Sequence, residues 1–278
     1  MTHRDIAERL SAAGIENSAW EASCLISHFA KIPLSLAHTD PTRDYPATQE
    51  LEAAIRRREA REPLQYILGT WDFYRQSYEV SPDCLIPRSD TEILVEEAIR
   101  RLPPNALFAD LCTGSGCIAI STLAERTDTR AYALEKFPAT LALAERNACK
   151  NGVSERFTPL CADVLLLPTL QDGSLDAILS NPPYIATREI DALSPEVHQE
   201  PAAALDGGED GLLFYRTILA NWKKTLKKDG FILFEIGYDQ ADALRTLGKA
   251  HGFDVSIKRD LGGNDRVAIL TYAHTNSL

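Results

Sequence analysis

One tetrapeptide, Asn181-Pro182-Pro183-Tyr184, combines residues that could hold a planar nitrogen atom. The two prolines have a fixed φ angle and no N–H group, so the segment is stiff and presents carbonyl oxygens. The side-chain oxygen of Asn181 and the carbonyl oxygen of Pro182 can both accept hydrogen bonds from an NH2 group. Tyr184 offers a flat ring for stacking. The tetrapeptide is therefore a candidate substrate-binding site for an amide or an exocyclic amine, and we predict catalytic roles for Asn181, Pro182 and Tyr184.

The chemistry that suits this arrangement is methyl transfer to nitrogen. An amide or aromatic amine is a poor nucleophile because its lone pair is delocalised. Two acceptors orient the nitrogen and interact more strongly with it as positive charge develops during attack on a methyl group, which stabilises the transition state selectively. Alignment with the methyl group adds up to about 7–11 kcal/mol in the best cases. No general base is required, since the methylated cation is very acidic and can lose its proton afterwards.

A glycine-rich turn from Asp110 to Gly116 is the second candidate site. It follows a short apolar strand and opens a helix, where glycines allow close backbone approach and the helix terminus offers free N–H groups. At the ends of the next two predicted strands, Glu135 could accept hydrogen bonds from ribose hydroxyls and Asp163 could reach an adenine amino group. We predict an adenosine-containing ligand here, but the turn also fits G-x-G-x-x-A and does not distinguish S-adenosylmethionine from NAD. The turn residues predicted to contact the ligand are Cys112, Thr113, Gly114, Ser115 and Gly116.

The elements that must position these residues begin near residue 106, where predicted strands and helices alternate. Such alternation indicates a doubly wound parallel sheet with helices on both faces. The last two strands are joined by the short segment Arg259–Asp265, which suits an antiparallel hairpin. In a doubly wound sheet the first and fourth strands are neighbours, and ligands bind at their carboxyl ends. The tetrapeptide should therefore lie beside the glycine-rich turn, an arrangement for which a dehydrogenase has no use.

The chain is predicted to contain two domains of unequal size. Residues 1–75 should form a helical domain without strands, residues 76–88 a connecting segment, and residues 89–278 the sheet domain. Capping-box patterns at Ser18–Glu21 and Ser89–Glu92 predict the starts of two helices.

Composition excludes several classes of function. The net charge of −11 argues against long-range attraction to nucleic acid or to anionic membranes. No apolar run approaches the ~20 residues that span a bilayer, and the first thirty residues do not resemble a secretory signal. The six cysteines are scattered without C-x-x-C spacing, so no metal site is predicted. The acidic run Asp206–Gly211 lacks the spacing of a calcium loop and is expected to be solvated. We expect a monomeric cytoplasmic protein with no direct nucleic-acid or membrane partner.

Over nearly its whole length the chain resembles the HemK/PrmC family, the protein-glutamine methyltransferases that modify peptide chain release factors. The tetrapeptide alone is shared with DNA adenine methyltransferases, but the combination is more specific. The segments that fall in family order are Glu62–Gly69, Leu85–Glu92, Asp110–Gly116, Asn181–Tyr184, Glu200-Pro201, Ala204-Leu205 and Arg259–Arg266.

The resemblance implies a class I S-adenosylmethionine-dependent methyltransferase fold, Rossmann-like with seven strands, preceded by a small helical docking domain. It implies that the target is the glutamine of the Gly-Gly-Gln motif of release factors, bound at Asn181–Tyr184 with Arg88 and Glu200 as further substrate contacts. S-adenosyl-L-homocysteine would be the product. Cys112 stands where many members have glycine, so that position must tolerate a small side chain. The cofactor contacts implied are Cys112–Gly116, Glu135, Asp163, Val164 and Asn181.

Three other functions remain open. The nearest is glutamine methylation of a ribosomal protein, by a sister subfamily that shares these motifs. Adenine methylation of nucleic acid would need a basic groove, yet residues 1–75 carry no net positive charge. A non-catalytic binding module is opposed by the intact glycine-rich turn and by Asn181.

Overall fold

The computed structural model describes residues 1–273 and divides into two compact units. The first, here called the helical unit, comprises Met1–Thr70 together with Ser194–Gln199; the second, the sheet unit, comprises Trp71–Leu193 and the chain from Glu200 onward. The predicted boundaries after residues 75 and 88 stay predictions.

Five helices form the helical unit: α1 (His3–Ala12), α2 (Ser18–Ala30), α3 (Leu34–Thr39), α4 (Gln49–Glu59) and α5 (Leu64–Leu68). Their buried faces carry apolar residues at helical spacing, such as Ile6 and Leu10 in α1 and Leu51 and Ile55 in α4. The capping box predicted at Ser18 is wrong. The N-cap position belongs to the preceding residue, which makes no side-chain capping bond, and Ser18 is already helical.

A nearly buried arginine ties the segment Ser194–Gln199 into the helical unit. Arg58 is only 4% exposed, and its Nε lies 2.5 Å from Glu21 Oε2 while its Nη2 lies 3.0 Å from Glu196 Oε1. Arg61 donates a second hydrogen bond to Glu196, from Nη2 to Oε2 at 2.8 Å. A buried guanidinium needs such partners because an unpaired charge is costly to desolvate.

A short hairpin follows, made of β1 (Thr70–Phe73) and β2 (Gln76–Glu79). The prediction that residues 1–75 contain no strand is therefore wrong at its end. Tyr74 has a φ angle of 56° and turns the chain within two residues. A strand of four residues is too short for its alternation of buried and exposed side chains to stand out in the sequence.

Seven strands form the main sheet: β3 (Leu107–Leu111), β4 (Arg130–Glu135), β5 (Phe157–Cys161), β6 (Leu175–Ser180), β7 (Leu226–Glu235), β8 (Phe253–Arg259) and β9 (Asp265–Tyr272). Their order is β5-β4-β3-β6-β7-β9-β8. The first five are parallel, whereas β9 is antiparallel to both of its neighbours. The doubly wound seven-stranded sheet, its terminal hairpin and the adjacency of β3 and β6 are thus confirmed.

Five helices cover the two faces of this sheet: α6 (Glu92–Arg101), α7 (Cys117–Glu125), α8 (Pro138–Lys150), α9 (Leu213–Thr217) and α10 (Ala241–Ala250). The first three pack into one apolar cluster, and α9 and α10 pack into another. The capping box predicted at Ser89 is wrong, because Ser89–Thr91 forms a 3-10 turn and the Glu92 carboxylate accepts a hydrogen bond from the Tyr74 N–H instead. The reversal of strand order between β3 and β6 leaves a crevice at their carboxyl ends.

Candidate active site

A cavity of about 290 Å³ lies in the sheet unit, at the carboxyl ends of the central parallel strands. The glycine-rich turn contributes Cys112–Ser115, the two acidic strand ends contribute Glu135 and Asp163, and the tetrapeptide contributes Asn181 and Pro183. Val164 and Arg88 also line it. The structure therefore brings together most of the residues predicted as a site from distant parts of the sequence. Gly116, Pro182, Tyr184 and Glu200 are not among the lining residues.

The glycine-rich turn uses left-handed backbone conformations at three positions. Cys112, Gly114 and Gly116 have φ angles of 62°, 55° and 83°. A β-carbon at Gly116 would lie 2.7 Å from Ile120 Cδ1 and 3.3 Å from Ala144 Cβ, so this glycine lets α7 and α8 pack closely. Cys112 is the exception, since its side chain costs roughly 1–2 kcal/mol in this conformation.

Asp110 stabilises the glycine-rich turn through two hydrogen bonds. It is fully buried, and its Oδ2 accepts hydrogen bonds from Thr113 Oγ1 at 2.6 Å and from the Ala119 N–H at 3.1 Å. Burial raises the pKa of this carboxyl to about 7, although both hydrogen bonds oppose the shift. The aspartate thus joins the turn to the first turn of α7.

The carboxylates of Glu135 and Asp163 are each fixed by backbone N–H groups. Glu135 accepts hydrogen bonds from the N–H groups of Gly114, Lys136 and Phe137 at 2.8–3.2 Å. Burial raises the pKa of Glu135 despite these bonds. Burial also acts to raise the pKa of Asp163, but the Leu165 N–H and the Lys136 ammonium outweigh it, and the pKa is lowered. Both side chains can accept further hydrogen bonds from hydroxyl or amino groups.

The chemistry of these lining groups fits an adenosine-containing cosubstrate. Carboxylates at the ends of β4 and β5 match hydroxyl and amino donors. Apolar side chains beside them, Leu134, Phe137 and Val164, match the faces of a flat ring.

Asn181 belongs to a chain of hydrogen bonds that ends on a buried carboxylate. Its Nδ2 donates to Thr91 Oγ1 at 3.3 Å, and Thr91 Oγ1 donates to Glu235 Oε2 at 2.5 Å. The Tyr184 hydroxyl donates to the other oxygen of Glu235 at 3.4 Å. Among residues 1–273, no group donates to Asn181 Oδ1 or to the Pro182 carbonyl oxygen. The two acceptors expected to hold the substrate are therefore left available, while the stacking role predicted for Tyr184 stays a prediction.

Glu235 and Thr91 were missed in the sequence. Glu235 is 2% exposed at the end of β7. Burial raises its pKa to about 7, against the hydrogen bond from Thr91 and the positive charge of Arg266. The sequence did contain a signal for Glu235, because it is an acidic residue at the end of a predicted strand. The same signal identified Glu135. Thr91 was hidden inside the incorrect capping box.

Asn147 on α8 was missed as well, because nothing in a helical pattern marks it. This fully buried side chain donates from Nδ2 to the carbonyl oxygens of Ser115 and Glu79, at 3.0 Å each. Its Oδ1 accepts from the Glu79 N–H at 2.7 Å. It thus links the glycine-rich turn to the hairpin strand β2.

The run Asp206–Gly211 is a loop before α9, as predicted, but the prediction that it is solvated is wrong for two of its six residues. Gly207 and Gly211 are buried, and only Glu209 and Asp210 are exposed. The Gly207 N–H donates to the carbonyl oxygen of Ile185 at 2.8 Å, and a β-carbon at Gly207 would lie 2.8 Å from Tyr184 Cα. The loop therefore braces the end of the tetrapeptide, and Gly207 and Gly211 are required because other backbone atoms approach them closely.

Arg88 and Glu200 form an ion pair in which the glutamate is nearly buried. The other carboxylate oxygen of Glu200 accepts a hydrogen bond from the Ile86 N–H at 2.9 Å. Arg88 lines the cavity. Glu200 does not, and it instead fixes Arg88 and the backbone at Ile86. Their predicted contact with substrate stays a prediction.

Residues 1–273 contain neither a cluster of metal-binding side chains nor a membrane-spanning helix. No group of three or more His, Cys, Asp or Glu side chains in that range is arranged to hold a metal ion. No helix in the same range is long and apolar enough to cross a membrane.

Comparison with known proteins gives consistent results for both units. Residues 3–69 match the family model of the PrmC N-terminal domain, and residues 89–230 match the methyltransferase small domain. The chain is 41% identical over 264 residues to the release factor glutamine methyltransferase of Geobacter sulfurreducens, covering 93% of this chain and 91% of that protein. It is 39% identical to that of Moorella thermoacetica, covering 93% of each.

A methyltransferase structure from Pyrococcus furiosus superimposes with a TM-score of 0.53 at 16% identity, over 70% of this chain and 87% of that one. It shows the fold alone, and that fold is the one expected of a class I S-adenosylmethionine-dependent methyltransferase. The identity of the curated relatives, over nearly the whole length, confirms the resemblance seen in the sequence: the chain belongs to the release factor glutamine methyltransferase family.

Proposed function

We propose that this protein methylates the side-chain amide nitrogen of the glutamine in the Gly-Gly-Gln motif of peptide chain release factors. The observation that carries the proposal is the Asn181 amide, whose oxygen is left without a donor beside a cavity that also contains the glycine-rich turn. The names of relatives about 40% identical to this chain support the choice of acceptor. A monomeric state and a cytoplasmic location remain predictions.

The cosubstrate is proposed to be S-adenosyl-L-methionine, which when bound supplies a methyl group on a positively charged sulfur and leaves as S-adenosyl-L-homocysteine. Glu135 and Asp163 would accept hydrogen bonds from its hydroxyl and amino groups. The turn Cys112–Gly116 would meet its amino-acid portion, and Val164 would contact its ring. Asn181 would contact both S-adenosyl-L-methionine and the glutamine.

The tetrapeptide would hold the glutamine carboxamide through the two hydrogens of its NH2 group. Asn181 Oδ1 and the Pro182 carbonyl oxygen accept these hydrogens, so the nitrogen keeps one orientation. As the nitrogen loses electron density during attack, both oxygens bind it more strongly, and this differential binding lowers the barrier. The surplus proton passes to water afterwards, so none of these residues has to act as a base. Arg88, held by Glu200, would contact the substrate at the cavity wall.

The direct test is transfer of labelled methyl from S-adenosyl-L-methionine to a purified release factor, followed by mass spectrometry to locate the methyl group. We expect labelling of the Gly-Gly-Gln glutamine and none when that glutamine is replaced by alanine. Labelling that persists in the alanine substrate would reassign the acceptor, and labelling of a ribosomal protein or of DNA alone would reassign the substrate class.

Asn181→Ala tests the role of the amide. We expect kcat to fall about 100-fold, the range seen when one transition-state hydrogen bond is removed, while the Kd for S-adenosyl-L-methionine changes by less than about threefold. Asn151→Ala, at the residue that follows the last residue of α8, is the matched control and should keep both values. Equal losses in kcat and in cofactor affinity would mean that Asn181 serves mainly as a cofactor contact.

A further inference from the structure

We infer that Thr91 and Glu235 set the orientation of the Asn181 amide, so that Oδ1 rather than Nδ2 faces the substrate nitrogen. The inference rests on the proposed transfer to a carboxamide nitrogen, and it assigns positioning roles to two residues outside the tetrapeptide.

The orientation of this amide matters because its two ends have nearly the same shape and opposite hydrogen-bonding character. With Oδ1 toward the substrate, Asn181 accepts a hydrogen from the NH2 group. With Nδ2 toward the substrate, two donors would face each other, and developing positive charge on the substrate nitrogen would be repelled. Rotation by half a turn about one bond would therefore convert a stabilising group into an opposing one. Nothing within Asn181 itself prevents that rotation.

The direction of the hydrogen bonds follows from the carboxylate outward. An ionised Glu235 can only accept, so Thr91 must donate its single hydroxyl hydrogen to Oε2, 2.5 Å away. The Thr91 oxygen is then left only with lone pairs toward Asn181, 3.3 Å away, and accepts from Nδ2. Oδ1 is consequently the end that remains for the substrate. The second oxygen of Glu235 accepts from the Tyr184 hydroxyl, so both ends of the tetrapeptide are tied to one carboxylate.

Burial makes this arrangement selective. Thr91 is 1% exposed and Glu235 is 2% exposed, so bulk water is not at hand to replace either partner. In a region of low polarity an unmade hydrogen bond costs more than it does at the surface. The reversed amide would leave Thr91 Oγ1 without a donor and would place two oxygens against each other.

The ionised state of Glu235 is the condition for this direction. Charged and titratable groups that face it come from five other parts of the chain: Asp90 in the turn before α6, Cys117 on α7, Tyr184 in the tetrapeptide, Tyr215 on α9 and Arg266 on β9. Arg266 favours the carboxylate and Asp90 opposes it, and with burial the pKa stands at about 7. A protonated Glu235 could donate to Thr91, which could then donate to Oδ1. The productive orientation should therefore be lost as the pH falls through about 7.

Three variants test the inference through kinetics. Thr91→Val removes the hydroxyl at nearly constant volume, and Thr91→Ser restores it. Glu235→Gln keeps the shape but supplies an NH2 donor to Thr91, with the exposed Glu145→Gln on α8 as matched control. Thr91→Val should lower kcat at least about tenfold with the Kd for S-adenosyl-L-methionine within threefold, and Thr91→Ser should recover most of that loss. Glu235→Gln should lower kcat and abolish the acid limb of its pH profile.

A second readout is independent of substrate. The nitrogen-15 signals of the Asn181 side chain, assigned by their loss in Asn181→Ala, should shift with a midpoint near pH 7 in the wild type and in Glu145→Gln but not in Glu235→Gln. The inference is overturned if these signals do not titrate, if a folded Thr91→Val keeps wild-type kcat, or if Thr91→Ser is as impaired as Thr91→Val. The Asn181 signals could shift with pH in an enzyme that never labels a release factor. That result would support the inference and count against the proposed substrate alone.

Discussion

Replacing Gly211 by alanine should disturb the tetrapeptide, although Gly211 lies outside it in the sequence. Gly211 has a φ angle of 73°, and a β-carbon there would overlap the carbonyl oxygen of Tyr184. The same β-carbon would lie 2.9 Å from Gln240 Nε2, the group that donates to that carbonyl at 2.9 Å. The added methyl group must therefore displace Tyr184 or break its support.

Two energetic terms contribute to the expected loss of stability. A left-handed alanine costs roughly 1–2 kcal/mol relative to glycine, and forcing an extra methyl group into a packed site costs typically about 1–3 kcal/mol. Gly252 isolates the first term, since its φ angle is 86° and nothing lies within 4 Å of its β-carbon position. We therefore expect Gly211→Ala to lower the free energy of unfolding by about 1–3 kcal/mol more than Gly252→Ala does.

The assay combines urea denaturation of both variants with methyl transfer to a release factor. A displacement near 1 Å at the site can reduce turnover about 100-fold, so kcat should fall steeply in Gly211→Ala and remain near wild type in Gly252→Ala. Equal stabilities of the two variants, together with a wild-type kcat for Gly211→Ala, would refute the argument that this loop braces the tetrapeptide.

Three further changes have expected outcomes that urea denaturation can measure. Asn147→Ala removes three hydrogen bonds at a fully buried position and should cost about 2–4 kcal/mol, whereas Asn151→Ala should cost less than half of that; equal losses would contradict the bridging role. Asp110 is neutral in the folded protein up to a pKa of about 7 but ionises near pH 4 when unfolded, so the stability it contributes at low pH is lost as the pH rises between these values. Asp110→Asn should lack this decline, and an identical slope in both proteins would contradict the effect of burial. Glu21→Ala leaves the nearly buried Arg58 with one carboxylate partner fewer and should cost about 3 kcal/mol; a change near zero would mean that water replaces the lost partner.

The sheet and most of the cavity could be predicted because the relevant signals are local or follow from topology. Apolar strands alternate with helices, and parallel topology then dictates that Gly114, Glu135 and Asn181 meet at one edge. Residues that act through the tertiary fold left no such signal. Asn147 faces the glycine-rich turn from α8, and nothing in the sequence pattern distinguishes it from Asn151, the residue that follows that helix.

The error at the helix start Ser89–Glu92 has a physical reason. The residues of a capping pattern can bond elsewhere once the chain folds. Glu92 bonds to the hairpin turn at Tyr74, and Thr91 bonds to Glu235, so partners distant in sequence replaced the local ones that the pattern requires. The run Asp206–Gly211 was predicted to be solvated because of its acidic residues. Two of its glycines, Gly207 and Gly211, instead pack closely against the backbone of Tyr184.

The route of the chain through the helical unit has a consequence for protein engineering. After Leu193 the polypeptide joins that unit for six residues, Ser194–Gln199, and then continues into the sheet unit at Glu200. The N-terminal helices are consequently not a detachable appendage, since a cut after Thr70 would strip Glu196 of Arg58 and Arg61. Exchange of these helices between relatives should succeed only when the segment Ser194–Gln199 is transplanted with them. A force that unfolds the helices would also act on the backbone between the tetrapeptide and Glu200.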